Sequence, residues 1–199
     1  MNYVSRLLAL TIGIAPAAPA AAQVQNYYHS GAWTAFSGRN PAGAAVCGIS
    51  TSDASNTRDL SVRFDIGGTT TTFSASKPDW SIPDDTHVTV VMQVGLNLPW
   101  TVQEIGHGRS IDWTLDATAI QPFDRQFRGA PSMTLTFPDG NEPPWALSLA
   151  GSTAISDTFG RCIRDLTRQV QANPPPAAAA PPPQNTTQPF STSEPPPAH

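Results

Sequence analysis

The chain has 199 residues with 11 basic and 15 acidic side chains, which gives a formal net charge of −4. This balance argues against nucleic-acid binding, because a phosphate-binding surface needs clustered cations and the basic residues here are scattered along the chain. Neither of the two cysteines has a C-x-x-C partner or a nearby histidine, so a zinc site is disfavoured as well.

Residues 1–22 predict a secretory signal peptide. Arg6 precedes an apolar run, and the segment ends in small residues of the A-x-A kind. The run is rich in alanine and shorter than the about 20 residues that a membrane-spanning helix needs. We therefore expect cleavage near Ala22, no transmembrane segment in the mature chain, and export to the periplasm or the medium of a bacterium.

Residues 23–172 predict one β-rich domain, because apolar and polar residues alternate in several short segments. The segment 60–66 has this period of two, and the Gly67-Gly68 pair after it suits a two-residue hairpin turn with positive φ. The recurrence of such segments between Gly and Pro turns predicts seven to nine short strands in an antiparallel β-sandwich or barrel. The later apolar positions are Val88, Val90, Met92 and Val94, then Trp100 and Val102, then Ile111, Trp113 and Leu115, then Met133, Leu135 and Phe137, then Trp145, Leu147 and Leu149.

Two segments depart from this alternation and indicate helices. Residues 119–129 predict a short helical excursion. After Gly151, the apolar residues recur with helical spacing, which predicts a C-terminal helix packed on the sheet. Ser152 or Thr153 is placed to cap this helix. For Ser152 we favour the capping role over a nucleophilic role, because the surrounding sequence lacks the G-x-S-x-G elbow. The residues of the helical stripe are Ile155, Phe159, Cys162, Ile163, Leu166 and Val170.

Cys47 and Cys162 form the most economical disulfide in an oxidising compartment, because they are an even pair. The bond would tie the C-terminal helix to an early strand. It would close a loop that spans most of the domain, and the chain-entropy model assigns such a loop about 4–5 kcal/mol of stabilisation.

Residues 173–199 form a Pro/Ala-rich tail without apolar periodicity. Such a segment cannot bury enough surface to offset its ordering entropy, so we expect disorder with polyproline II character. The tail is interpreted as a flexible terminus, with a spacer or a ligand for a proline-reading partner as the alternatives.

Two stretches of the domain resemble the invasion-associated locus B family of exported alphaproteobacterial proteins. The first contains Gly31, Trp33, Cys47 and Ser50, and the second runs W-A-L-S-L-A-G-S-T-A-I-S-D-T-F-G-R-C from Trp145 to Cys162. The resemblance covers both ends of the domain and implies an exported β-sandwich, with a role in host-cell entry for one member. It carries over no catalytic residue. In the second stretch the matching positions are Ser148, Leu149, Gly151, Phe159 and Cys162.

The candidate chemical sites each have a structural alternative. His87 and His107, with nearby aspartates such as Asp112, could form an acid–base or metal site, although no H-x-x-x-H spacing supports it and surface histidines are favoured. Trp80 is the tryptophan that we most expect to be exposed and available for binding, whereas the strand tryptophans are expected in the core. Oxygen-rich turns at Asp84-Asp85 and Asp139-Gly140-Asn141 are interpreted as turn chemistry rather than calcium sites.

These observations favour an exported, non-enzymatic binding or interaction protein of the cell envelope. No cofactor and no metal are expected, and the partner is a protein or envelope component that the sequence does not identify. The alternative is a small periplasmic hydrolase or lyase that uses His87 and His107 with nearby aspartates.

Overall fold

A computed structural model describes residues 24–53 and 57–172, and within these ranges it contains ten β-strands and two α-helices. The predicted signal peptide (1–22) and the predicted tail (173–199) lie outside the described residues and stay predictions. The strands are β1 (Val24–Ser30), β2 (Trp33–Arg39), β3 (Ala45–Ser52), β4 (Asp59–Asp65), β5 (Thr70–Ser76), β6 (Ile82–Val94), β7 (Trp100–Gly108), β8 (Ser110–Asp116), β9 (Ser132–Thr136) and β10 (Trp145–Ser148), and the helices are α1 (Ala117–Gly129) and α2 (Ser152–Ala172).

The ten strands form a single antiparallel sheet in the order β1-β2-β3-β4-β5-β8-β7-β6-β9-β10, curled into a half-barrel. This confirms the predicted mainly β, antiparallel fold with a C-terminal helix. The described residues contain ten strands, where seven to nine were predicted. The additional strand is β1, whose first six residues are exposed on both faces and therefore show no alternation.

The inward face of the half-barrel forms the core. On β6, Val90, Met92 and Val94 are fully buried, as the period of two predicts. The predicted helical excursion is a complete helix, α1, which begins after Asp116. The carboxylate of Asp116 accepts hydrogen bonds from the Thr118 and Ala119 amides at 2.8 and 2.9 Å, so it satisfies two backbone donors at the helix start.

The disulfide between Cys47 and Cys162 is confirmed, with a Cα–Cα distance of 6.0 Å. It joins α2 to β3 across a sequence separation of 115 residues. Cys47 is fully buried under the helix, so the bond lies between the sheet and the element that covers it.

Two distant turns meet backbone to backbone where the chain enters β2 and where it leaves β10. Gly31 has φ +59°, and a Cβ on it would lie 2.0 Å from the Ala150 carbonyl oxygen. Gly151 has φ +87°, and its Cβ would lie 2.2 Å from the Ser30 carbonyl oxygen. The Ala32 amide donates to the Ala150 carbonyl at 3.1 Å. We call this pairing of residues 30–33 with 148–151 the turn–turn contact, and only glycine fits at its centre.

Side chains extend the turn–turn contact into the core. The buried Trp33 indole donates to the Ser148 carbonyl at 3.0 Å, and the Thr51 hydroxyl donates to the Ala32 carbonyl at 2.8 Å. The Trp33 ring also packs edge-on against Phe127 of α1, with ring centroids 4.9 Å apart. The two ends of the sheet and the first helix therefore share one packed region.

We predict that Gly151→Ala destabilises the protein more than Gly43→Ala does. Gly43 has a similar φ of +83°, but a Cβ there would meet no atom within 4 Å. Gly43→Ala is therefore the control, and it is destabilised only by the left-handed backbone conformation, which costs about 1–2 kcal/mol. The clash with Ser30 should lower the free energy of unfolding of Gly151→Ala by about 1–3 kcal/mol more. Urea unfolding of both variants measures the difference, and equal values would contradict the turn–turn contact.

We also predict that the Cys47→Ser/Cys162→Ser variant loses about 4–5 kcal/mol of stability, because its unfolded chain is no longer constrained by the long loop. Thermal melting of the variant, and of the native chain with and without reductant, measures the loss. A melting curve that does not change when the thiols are shown to be reduced would overturn the stabilising role of the bond.

Candidate functional site

An apolar crevice lies between the two helices and the inward face of the sheet. Its volume is about 400 Å³, within the about 300–1,000 Å³ range of small-molecule sites. We call it the helix–sheet crevice. Its apolar lining includes Ile49, Val62 and Phe73 from the sheet, Phe123 and Phe127 from α1, and Phe159 from α2.

The floor of the helix–sheet crevice is more deeply buried than its walls. Its floor residues Phe73, Phe123 and Phe127 are each less than 5% exposed, whereas Ile120 and Phe159 on its walls are half-buried. An apolar ligand would therefore contact the half-buried walls above a floor that is already packed.

Two arginines line the crevice, and only one of them, Arg128, forms ion pairs within the described part of the chain. Arg128 of α1 forms ion pairs at 2.6 Å with Asp124 and with Asp157 of α2, which joins the helices. Burial lowers the pKa of Arg128, but the bonds to Asp157 and Asp124 raise it above its ordinary value, so Arg128 stays cationic. Arg125 also lines the crevice, is exposed, and makes no ion pair with any residue in 24–53 or 57–172.

A second feature is the turn between β6 and β7, residues 95–99, which we call the leucine turn. Leu96 is fully exposed and Leu98 is 87% exposed. Gly95 begins the turn with φ +56° and donates its amide to the Ser132 carbonyl at 3.0 Å. The two leucines thus project into solvent from a turn that is attached to the chain segment after α1.

Side-chain hydrogen bonds hold the leucine turn in one conformation. The Asn97 side chain donates to the Val94 carbonyl at 2.8 Å, and its amide donates to the same oxygen at 3.2 Å. The Gln93 side chain donates to the Gly95 and Asn97 carbonyls. At the start of β7, the Trp100 indole donates to Gln126 of α1 at 2.7 Å. The exposure of the leucines therefore comes from a fixed turn.

The most elaborate polar cluster surrounds Glu142, in the loop before β10. Its carboxylate accepts from the indoles of Trp145 at 2.9 Å and Trp80 at 3.3 Å. It also pairs with Arg58 at 3.0 Å and Lys77 at 2.9 Å. These partners come from the loops after β3 and after β5, so the carboxylate ties three loops together. All of its capacity is used by the protein, which makes the cluster structural.

Burial raises the pKa of Glu142, but hydrogen bonds from Trp145, Lys77 and Trp80 outweigh this effect and lower the pKa below its ordinary value.

Trp80, which was expected to be exposed, is half-buried and stacks on Trp145 with ring centroids 5.3 Å apart. A role for Trp80 in binding stays a prediction.

Of the remaining residues singled out in the sequence, His87 and His107 lie on the paired strands β6 and β7, and both are exposed. His87 is opposite Ile105, two residues before His107. The Asp139 carboxylate accepts from the Thr89 amide at 2.6 Å, which gives it a structural partner. Across residues 24–53 and 57–172, no group of three or more His, Cys, Asp or Glu side chains is placed to hold a metal ion. No observation favours the hydrolase hypothesis.

Ser152 is the first residue of α2 and is buried. Its amide donates to the Leu149 carbonyl at 3.0 Å, and the Ile155 amide donates to Gly151. The helix therefore begins where the sequence predicted it, while the capping hydrogen bond of the Ser152 hydroxyl stays a prediction. In the described part of the chain, no helix is both long and apolar enough to cross a membrane.

Comparisons with known proteins give one structural similarity. No family model and no curated protein matches the chain. Among solved structures, the crystal structure of invasion associated protein B from Bartonella henselae is 14% identical, with a TM-score of 0.45, and the match covers 71% of this chain and 98% of that one. A similarity of this degree concerns the fold, and it assigns neither family membership nor an activity.

The sequence contained a partial signal for the leucine turn and little signal for the crevice. Val94, Leu96, Leu98 and Trp100 continue a period of two, which is typical of one buried strand face. Gly95 turns the chain at the start of this pattern, so Leu96 and Leu98 are exposed instead of buried. The crevice depends on how α1 and α2 pack beside each other, which no local pattern encodes.

We predict that Glu142→Gln lowers the free energy of unfolding at pH 7 by about 1–3 kcal/mol, because buried donors lose their charged acceptor. The folded-state pKa of Glu142 lies below its ordinary value, so its stabilisation is present above the unfolded-state pKa and is lost as the pH falls through the folded-state pKa. The difference between native and variant should therefore shrink as the pH falls below about 4.3, the ordinary value for Glu.

Chemical denaturation at several pH values between 7 and 3 measures this effect. Asp79→Asn, which changes an exposed carboxylate in the loop before β6, is the matched control and should leave stability unchanged. A difference between native and Glu142→Gln that stays constant over this pH range would contradict the assignment.

Proposed function

We propose that the chain is an exported, non-enzymatic binding protein of the bacterial cell envelope that contacts a partner through the leucine turn. The observation that carries this proposal is the exposure of Leu96 and Leu98 on a turn fixed by hydrogen bonds. Single exposed leucines are common, but two exposed leucines two residues apart on a fixed turn contribute nothing to the core and are typical of a contact surface.

Export is supported by the disulfide between Cys47 and Cys162, because such bonds persist in oxidising compartments. The mature protein would consist of the domain 23–172 followed by the tail 173–199, in the periplasm or the medium. The partner is an envelope component, and the resemblance of both ends of the domain to a family named for invasion extends the proposal to partners on a host cell.

A binding role is supported over catalysis by the use of the polar groups. Glu142, the carboxylate with the most partners, is saturated by structural contacts, and His87 and His107 are exposed on the strands. The half-barrel then acts as a rigid scaffold for its turns, as loops on a stable framework do in many binding proteins.

We predict that Leu96→Ser/Leu98→Ser recovers at least ten-fold less partner than the native chain does. The leucines bury almost no area in the free protein, so the variant should keep its melting temperature while it loses apolar contact with the partner. Affinity capture from envelope extracts and from host-cell surface extracts, followed by quantitative mass spectrometry, measures the recovery.

Val24→Ser/Val170→Ser is the matched control, because it removes two exposed apolar side chains elsewhere on the domain. We expect this control to recover as much partner as the native chain. Equal recovery by the native chain and the leucine variant would overturn the proposed contact surface.

A further inference from the structure

The volume of the helix–sheet crevice limits the size of a ligand. Its volume of about 400 Å³ is at the low end of small-molecule sites, so it is too small for a molecule with several alkyl chains. Above its packed floor, Ile120 of α1 and Phe159 of α2 are half-buried and offer apolar surface. One linear apolar chain matches this volume and this lining.

The charges at the rim indicate the polar end of the ligand. Arg128 is neutralised by Asp124 and Asp157, so it is already committed to holding the helices. Arg125 lines the same crevice, is exposed and has no ion-pair partner in the described residues. A free guanidinium beside an apolar crevice complements an anionic head group, which it can bind through two parallel hydrogen bonds.

We propose that the helix–sheet crevice binds a single-chain alkyl carboxylate, a fatty acid, with its chain between α1 and α2 and its carboxylate at Arg125. The apolar chain leaves water for a lining of aliphatic and aromatic side chains. The carboxylate stays at the exposed rim, where it keeps part of its hydration and pairs with Arg125. This site is separate from the leucine turn, so its success or failure does not decide the proposed function.

Gly160 of α2 offers a way to fill the crevice without disturbing its floor. It lines the crevice, and a Cβ at this position would meet only Arg164 Nη1, at 3.3 Å. Gly160→Ala therefore leaves the crevice open and is also expected to favour the helix. Gly160→Phe places a ring in the space that the alkyl chain would occupy.

The test is isothermal titration calorimetry of delipidated mature protein with laurate and with dodecanol, its uncharged analogue. The native chain and Gly160→Ala should bind both compounds, and Gly160→Phe should bind neither. Arg125→Gln should weaken laurate binding about three- to five-fold, as expected for an exposed ion pair, and leave dodecanol binding unchanged. Arg63→Gln, which changes an exposed arginine on β4, is the matched control and should alter neither affinity.

Ile120→Gln is a second variant that does not depend on Gly160→Phe being folded. It places an amide on the crevice wall with little change in volume, so it should weaken the binding of laurate and dodecanol alike. The proposal is overturned if the native chain does not bind laurate, or if Gly160→Phe, shown to be folded by its melting curve, binds laurate as tightly as Gly160→Ala. Equal weakening of laurate and dodecanol by Arg125→Gln would overturn the assignment of the head group.

Discussion

The architecture depends on the close approach of two backbones at Gly31 and Gly151. A sheet of ten strands that stayed open would leave β10 far from β2, and its inward face would need a second layer as wide as itself. The turn–turn contact brings these strands together, because each turn lacks the Cβ atom that would separate them. Trp33 then reaches Ser148 across the contact, and its ring packs on Phe127 of α1. The two glycines therefore permit the close approach that joins the two ends of the curled sheet.

Most of the residues by which the sequence resembles an invasion-associated family form or adjoin the turn–turn contact. Gly31 and Gly151 form its centre, Trp33 and Ser148 are joined by a hydrogen bond beside it, and the Cys47–Cys162 bond fixes the helix that starts from it. These positions explain how the half-barrel closes and say nothing about a ligand. A second long-range contact is the Glu142 cluster, which joins three loops.

The sequence predicted those elements whose residues are neighbours in the chain, and it missed contacts between residues that are far apart in the chain. The strand over 60–66 and the stripe of α2 were predictable because burial on one face leaves a period in the chain. β1 was missed because exposure on both faces removes that period. α1 was underestimated because Pro122 lies inside it, and its start depends on the Asp116 cap. The Glu142 cluster and the crevice join residues far apart in sequence, and only tertiary packing brings them together.

Helix α1 connects the two features to which we assign binding. The open groove beside the leucine turn is lined by Pro122, Arg125 and Gln126, and the helix–sheet crevice is lined by other residues of the same helix. Arg125 borders both. A partner that contacts Leu96 and Leu98 would therefore lie next to the mouth of the crevice, and it could cover the carboxylate at Arg125.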